Sequence, residues 1–144
     1  MSKFVLFIAK ALIFALLLWL LIVNVKAMVA YADYDEDLYI LSHVICGEAE
    51  GCYRDMKLSV GSVVLNRVSD KRFPDTIAEV VFQQGQYACT WDGNYYREPS
   101  QDTINIAVEL LEKGPVIDES VVWQAEFPQG YGIYDVIGNM YFCY

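Results

Sequence analysis

Histidine is almost missing from this chain: His43 is the only one, and no two of the four cysteines stand in a Cys-x-x-Cys pair. Zinc ligation draws on clusters of those two residue types at short spacings, so no metal and no cofactor is expected. Cations are scarce as well. Ten lysines and arginines face nineteen acidic residues, and three of the ten lie in the first 32 residues, where there is no acid. Residues 33–144 therefore carry a net charge of −12, a poor match for nucleic acid, whose phosphates need cationic neutralisation. Internal repeats and low-complexity segments are absent too, which leaves room for one ordinary domain at this length.

Apolar residues are in excess, and they are concentrated at the start. Thirteen run without interruption from Ala11 to Val23, preceded by Lys3 and Lys10 and with no acid before Asp33. A basic stretch, an apolar core of this length and the small-x-small triplet Ala30-Tyr31-Ala32 make a secretory signal, with Val25-Lys26-Ala27 as a second cleavage candidate. The competing reading is a retained anchor. Phe4–Val23 is broken only by Lys10, a lysine that can snorkel to the headgroups of a bilayer that needs about 20 apolar residues to span. Both readings export the remainder. The expected organisation is a signal peptide or membrane anchor over residues 1–32 and a single monomeric domain over 33–144, touching the membrane only through the N-terminal segment.

Four cysteines in an oxidising compartment, Cys46, Cys52, Cys89 and Cys143, read as two disulfides. Three pairings are possible. The preferred one joins Cys46 to Cys52 and Cys89 to Cys143.

Beyond a short acidic linker, Leu38, Leu41, Val44 and Ile45 recur at helical spacing and predict a helix over 37–46. A second helix is expected over 53–68, with Met56, Val60, Val63, Val64 and Leu65 on its apolar face and a small-polar stripe of Ser59, Ser62 and Asn66. Gly61 gives that helix a flat side for a close neighbour. Pro74-Asp75-Thr76, with Glu79 placed for a capping box, starts a short helix ending near Phe82. Ser100 or Asp102 caps a fourth helix over 103–113, with Ile104, Ala107, Val108 and Leu111 inward, and Gly114-Pro115 stops it. The aromatic and β-branched stretches 121–127 and 140–144 read as strands separated by a glycine-rich turn. The fold class expected is α+β, about four helices around a small antiparallel sheet, following the apolar segment.

Two stretches carry chemistry. The octet VICGEAEG (Val44–Gly51) ends an apolar helix with Glu48 and Glu50. A carboxylate at a buried helix end can sit in a cleft wall, where desolvation favours the protonated form and equips it as a general acid for glycosidic cleavage. On the octet alone, two glutamates also read as an ordinary solvated terminus. The second stretch, Gln83–Arg97, has no helical period, two glycines, four aromatics and several amides, and a loop of that length is more often functional than a connector. Aromatic faces suit the C–H surfaces of sugar rings and amides suit their hydroxyls. Gln86, Tyr87, Trp91, Asp92, Tyr95 and Tyr96 are its groove candidates, with Trp123 and Tyr141 from the strands. His43 is expected to be a satisfied helical histidine. Asn66 is expected to bond backbone and Arg67 to ion-pair near the first helix.

The octet, then SVGSVVLNRV (Ser59–Val68), FPDTIAEVVFQQGQY (Phe73–Tyr87) and IGNMYF (Ile137–Phe142) form an ordered set. This set resembles the cell wall hydrolase family of the spore cortex-lytic (SleB/CwlJ) type. There a GEA or AEA segment with the catalytic glutamate precedes VLNRV, FPxTI, QPGQF and IGxHxF segments. The resemblance covers roughly Leu38–Tyr144 and implies a lysozyme-like fold with Glu48 as the acid/base. It implies peptidoglycan glycan strands as partner, and Gln86, Tyr87, Gly138 and Asn139 match or nearly match the family pattern. Gln84 stands for the turn proline and Met140 for the terminal histidine, and Glu50 and Cys52 also depart from the common pattern.

Glycoside hydrolysis normally needs two carboxylates, and the resemblance marks only Glu48. One suffices when the 6-hydroxyl of muramic acid attacks its own anomeric carbon. The reaction implied is therefore lytic-transglycosylase-like cleavage between N-acetylmuramic acid and N-acetylglucosamine. Glu50 or Asp92 as a second acid would make a muramidase instead. An N-acetylmuramoyl-L-alanine amidase is disfavoured by the single histidine, and a secreted glycan-binding module without turnover is the non-enzymatic alternative. The acidic domain has no general attraction to an anionic wall, so recognition has to come from a shaped groove. The residues leave spore, vegetative and phage settings open.

Overall fold

The computed structural model describes residues 3–144; residues 1 and 2 of the expected leader lie outside them. The chain divides into two compact units, Met1–Glu36 and Asp37–Tyr144. Among the described residues there are five α-helices, one 3-10 turn and three strands. The helices are α1 (Lys3–Ala49), α2 (Arg54–Ser69), α3 (Ile77–Val81), α4 (Cys89–Asp92) and α5 (Gln101–Lys113), and the 3-10 turn is Asn94–Tyr96. The strands are β1 (Trp123–Ala125), β2 (Ile133–Ile137) and β3 (Met140–Cys143).

The first unit is helical and outwardly apolar, with Leu12, Phe14, Leu17, Trp19 and Leu21 all exposed. In the second unit, every α1 residue from Ile40 to Cys46 is buried, so this segment is enclosed on all sides rather than on the single face its periodicity indicates. The helix also runs three residues past the expected end. Glu48 therefore lies in its last turn, and the Cys52 N–H bonds back to the Ala49 carbonyl to close it.

α2 is the central helix of this unit. Val60, Val63 and Val64 are inaccessible, and so are Ser62 and Asn66 on the polar stripe. Each has a partner outside the helix: Ser62 Oγ accepts the Val116 N–H at 3.0 Å, and Asn66 Nδ2 donates to the carbonyls of Asp118 and Val121 at 2.8 and 2.9 Å, while Asn66 Oδ1 is buried without a partner. Gly61 does what its missing side chain allows. A Cβ there would sit 2.4 Å from Leu110 Cδ1 and 2.8 Å from Ile45 Cδ1, so α1 and α5 meet α2 through this position. Fully burying each such aliphatic side chain contributes about 1.5–3 kcal/mol.

α5 is rotated from its expected phase. Thr103, Ile106, Ala107 and Leu110 are the buried set, with Ile104, Val108 and Leu111 only partly covered. Leu110 entering the Gly61 notch sets that rotation. Ser100 caps the helix by accepting the Thr103 N–H, and Thr76 caps α3 by accepting from Glu79, so both caps lie where the sequence places them.

The sheet is antiparallel with order β1-β3-β2, pairing Trp123 with Cys143 and Ile137 with Met140. β2 falls inside what the sequence reads as a glycine-rich turn. It is an edge strand exposed along nearly its whole length, so it lacks the apolar alternation that marks a half-buried strand.

Candidate active site

A cavity of about 450 Å³ lies in the second unit. Its helical wall is the end of α1, with Gly47 and Glu48, and Arg67 of α2. The segment Gly85–Cys89 and Asp92 form a second wall, and Trp123–Glu126, Gln129 and Met140 complete it from the sheet.

Glu48 is half-buried there, and its Oε1 accepts the backbone N–H of Cys89 at 3.2 Å. That bond depends on the residue before it. A Cβ on Gly47 would lie 2.5 Å from Cys89 Cβ and 2.9 Å from its Sγ, so only glycine lets α4 begin this close to the glutamate. The Cys89 thiol also hydrogen-bonds the Glu48 carboxyl, so Cys89 holds it through both its backbone N–H and its side chain where it lines the cavity.

Glu50, two residues on, has a different role. It accepts from the Ser100 N–H at 3.2 Å and the Thr103 hydroxyl at 2.7 Å, and Lys57 Nζ lies 4.0 Å away. Burial alone would raise its pKa, but the hydrogen bonds from Ser100, Thr103 and Cys46 and the charge of Lys57 bring it down to about 2. It ties the end of α1 to the start of α5 and does not line the cavity, which removes it as the second acid of a muramidase. Asp92 does line the cavity, but both its oxygens are engaged by Asn94, from the N–H at 2.8 Å and the side-chain amide at 2.9 Å.

Arg67 is buried and, among the described residues, ion-pairs with no carboxylate, contrary to the expected pairing near α1. Its Nε donates to the Val122 carbonyl and one terminal nitrogen to Gln86 Oε1, both at 2.7 Å. The guanidinium also stands 5.1, 5.2 and 5.7 Å from the ring centres of Phe73, Tyr87 and Trp123. Delocalised charge and weak hydration suit arginine to such an aromatic cage. The consequence is a floor in which Gln86, Tyr87 and Trp123 are fixed relative to one another. Tyr87 is fully buried and its hydroxyl is pushed up to about 12, chiefly by burial. It serves as packing beneath the groove, not as an open face for a sugar ring.

Of the residues singled out from sequence, Glu48, Gln86, Tyr87, Asp92 and Trp123 line the cavity, and Trp91, Tyr95 and Asn139 do not. Trp91 and Tyr96 are both exposed. Tyr95 is a core residue, with Phe82 and His43 at 5.2 and 5.5 Å between ring centres. His43 is likewise buried, its Nδ1 2.8 Å from the Tyr39 carbonyl. Asn139 donates to Glu126 Oε1 at 3.0 Å.

Sequence reasoning missed Cys89, Gln124, Glu126, Gln129 and Met140, and weighed Arg67 too lightly. The buried polar stripe of α2 was the signal available for Arg67. For the sheet residues no local signal exists, since a period-2 strand says nothing of what faces it.

The structure joins no two of the four cysteines. Cys46 turns its sulfur to the carbonyls of Arg97 and Glu98 at 3.7 and 3.8 Å, whereas Cys52 lies exposed past the helix end, so the two do not staple the segment between them. Burial, reinforced by Glu50, raises Cys46 to about 11. Burial and the Glu48 carboxylate push Cys89 upward too, and Cys143 is buried in β3.

Residues 53–143 match the family model described as Cell Wall Hydrolase; Glu48 precedes the matched stretch. The chain is 31% identical over 75 residues to a spore cortex-lytic enzyme of Oceanobacillus iheyensis, covering 52% of this chain and 27% of that protein. It is 28% identical over 89 residues to the spore cortex-lytic enzyme of Bacillus subtilis, covering 62% and 29%. The chain thus spans under a third of the length of these relatives. The catalytic domain of the Bacillus cereus SleB protein superposes with a TM-score of 0.67 at 20% identity, over 76% of this chain and 91% of that domain. That of a germination-specific lytic transglycosylase, SleB from Bacillus anthracis, gives 0.65 at 20% identity, over 75% and 93%. At such identity the likeness is one of fold.

Proposed function

The chain belongs to the cell wall hydrolase family, and on that premise we propose that it is an enzyme that cleaves peptidoglycan glycan strands between N-acetylmuramic acid and N-acetylglucosamine. Glu48 acts as acid and then as base, in a lytic-transglycosylase-like reaction. The observation that carries the reading is a half-buried carboxyl at the end of α1 that lines the cavity and is set there by the Cys89 N–H. The carboxyl donates its proton to the glycosidic oxygen as the bond to the muramic anomeric carbon breaks. The muramic 6-hydroxyl then forms the new bond to that carbon and returns its proton to Glu48, closing an anhydro ring with no water consumed. Gln86 and Trp123 are assigned to substrate binding, with Tyr87 and Arg67 beneath them. Asp92 is assigned to shaping the wall.

Residues 1–32 are assigned as an export signal, and the apolar, exposed helix supports this. Among the described residues one helix, Val5–Ala49, is long and apolar enough to cross a membrane. The proposed place of action is extracytoplasmic, and spore-cortex peptidoglycan is the substrate that the relatives' names favour.

The test is digestion of purified peptidoglycan by the 144-residue chain and by a Glu48→Gln variant, with products read by mass spectrometry. Muropeptides lighter by one water than their hydrated counterparts are expected from the parent and none from the variant. Hydrated reducing ends would instead mark a muramidase. Release of stem peptides would mark an amidase, and release by neither protein a binding module.

A further inference from the structure

Three carboxylates line the cavity: Glu48, Asp92 and Glu126. Both oxygens of Asp92 are held by Asn94, so Glu126 is the one that can meet a substrate alongside Glu48. It follows β1 directly, at the point where the sheet wall opens to solvent. The β1–β3 register pairs Ala125 with Tyr141, and one step further along this pairing lies the β2–β3 reversal. Gly138 makes that reversal at a φ of +61°, a region favouring glycine. Asn139, the next residue, donates its amide to Glu126 Oε1 at 3.0 Å. The carboxylate is thereby aimed from the sheet side, and among the described residues its second oxygen has no partner. The opposing charge in the cavity is a single guanidinium, Arg67, already engaged by Val122 and Gln86.

We propose that Glu126 is a second catalytic residue of this groove, whose negative charge stabilises the positive charge that develops on the anomeric carbon and ring oxygen as the glycosidic bond breaks. The proposal rests on the assignment of Glu48 as the acid. Glu126 forms no bond and takes no proton in this role. Glu126 is exposed at the rim of the cavity and held there by Asn139, so once bound glycan covers it the charge needs little reorganisation as positive charge develops. Asn139 is then a positioning residue, acting through Glu126, although it does not touch the cavity.

The test uses the 144-residue chain with Glu126→Gln, Asn139→Ala and Glu48→Gln variants, assayed on solubilised glycan strands for kcat, KM, product ends, pH profile and Tm. Glu126→Gln is expected to lower kcat by about 10- to 100-fold with KM within about twofold and Tm and product ends unchanged. Asn139→Ala is expected to lower kcat less, in the same sense. Parental kcat in Glu126→Gln while Glu48→Gln is inactive overturns this assignment alone. So does a loss confined to KM, or one matched by a fall in Tm. Activity in Glu48→Gln overturns the premise and the assignment with it.

Discussion

Two glutamates two residues apart in the chain show how little of a side chain's role is local. Glu48 looks into the cavity with one oxygen held. Glu50 is bound on the far side by Ser100, Thr103 and Lys57, and its folded pKa of about 2 lies below the ordinary 4.5. A folded pKa lower than the unfolded one contributes stability that is present above the unfolded value and lost as pH falls through the folded value. Glu50 is thus expected to contribute on the order of 3 kcal/mol above pH 4.5 and to lose it between about 4.5 and 2. Urea midpoints at pH 7, 3 and 2 measure this: Glu50→Gln should be less stable than the parent at pH 7, the gap should shrink to about half or less at pH 3, and it should close only near pH 2 and below. A constant difference between them would remove the role assigned to this carboxylate. The identity of either glutamate was plain in VICGEAEG. The assignment of the proposed acid to Glu48 rests on the family pattern and on which side of the helix end the cavity lies.

At the scale of elements, helix existence was legible from periodicity and caps, whereas helix phase was not. α5 carries two apolar stripes one residue apart, and the buried one is chosen because Leu110 fills the space beside Gly61. Gly61→Ala is expected to push Leu110 and Ile45 from positions with no free volume and to cost about 1–3 kcal/mol of stability, read as a lowered Tm. A neutral substitution would mean that both side chains have room to move. The two short turns of helix in the loop 83–97 escaped the sequence for a related reason. Asp92 and Asn94 close them through a side-chain turn around Gly93 at φ +92°, and buried Tyr87 holds their start, so neither has an apolar period of its own. β2 was hidden by exposure, since an edge strand with both faces largely in water has no pattern to announce it.

At the scale of the molecule, charge and hydropathy separate cleanly along the chain: an apolar leader without acids, then a domain of net charge −12. On the proposed assignment of residues 1–32 as an export signal, processing is expected to follow Ala32, giving an N-terminus at Asp33 by intact mass. Ala32→Leu, which removes the small residue the peptidase requires, is expected to leave the protein in the membrane fraction. Recovery of the unprocessed parent there would favour an anchor instead. The amino-acid order by itself determined the number and kind of the main elements and their caps, the apolar start, and the ordered motifs that carry the family likeness, because these depend on near neighbours and on composition. Only the tertiary structure decided that Arg67 lies in an aromatic cage, that the Cys89 N–H meets Glu48, that Asn139 bonds Glu126, and that Cys46 turns away from Cys52. Each of these joins side chains from elements far apart in sequence, and their approach is set by packing rather than by any local propensity.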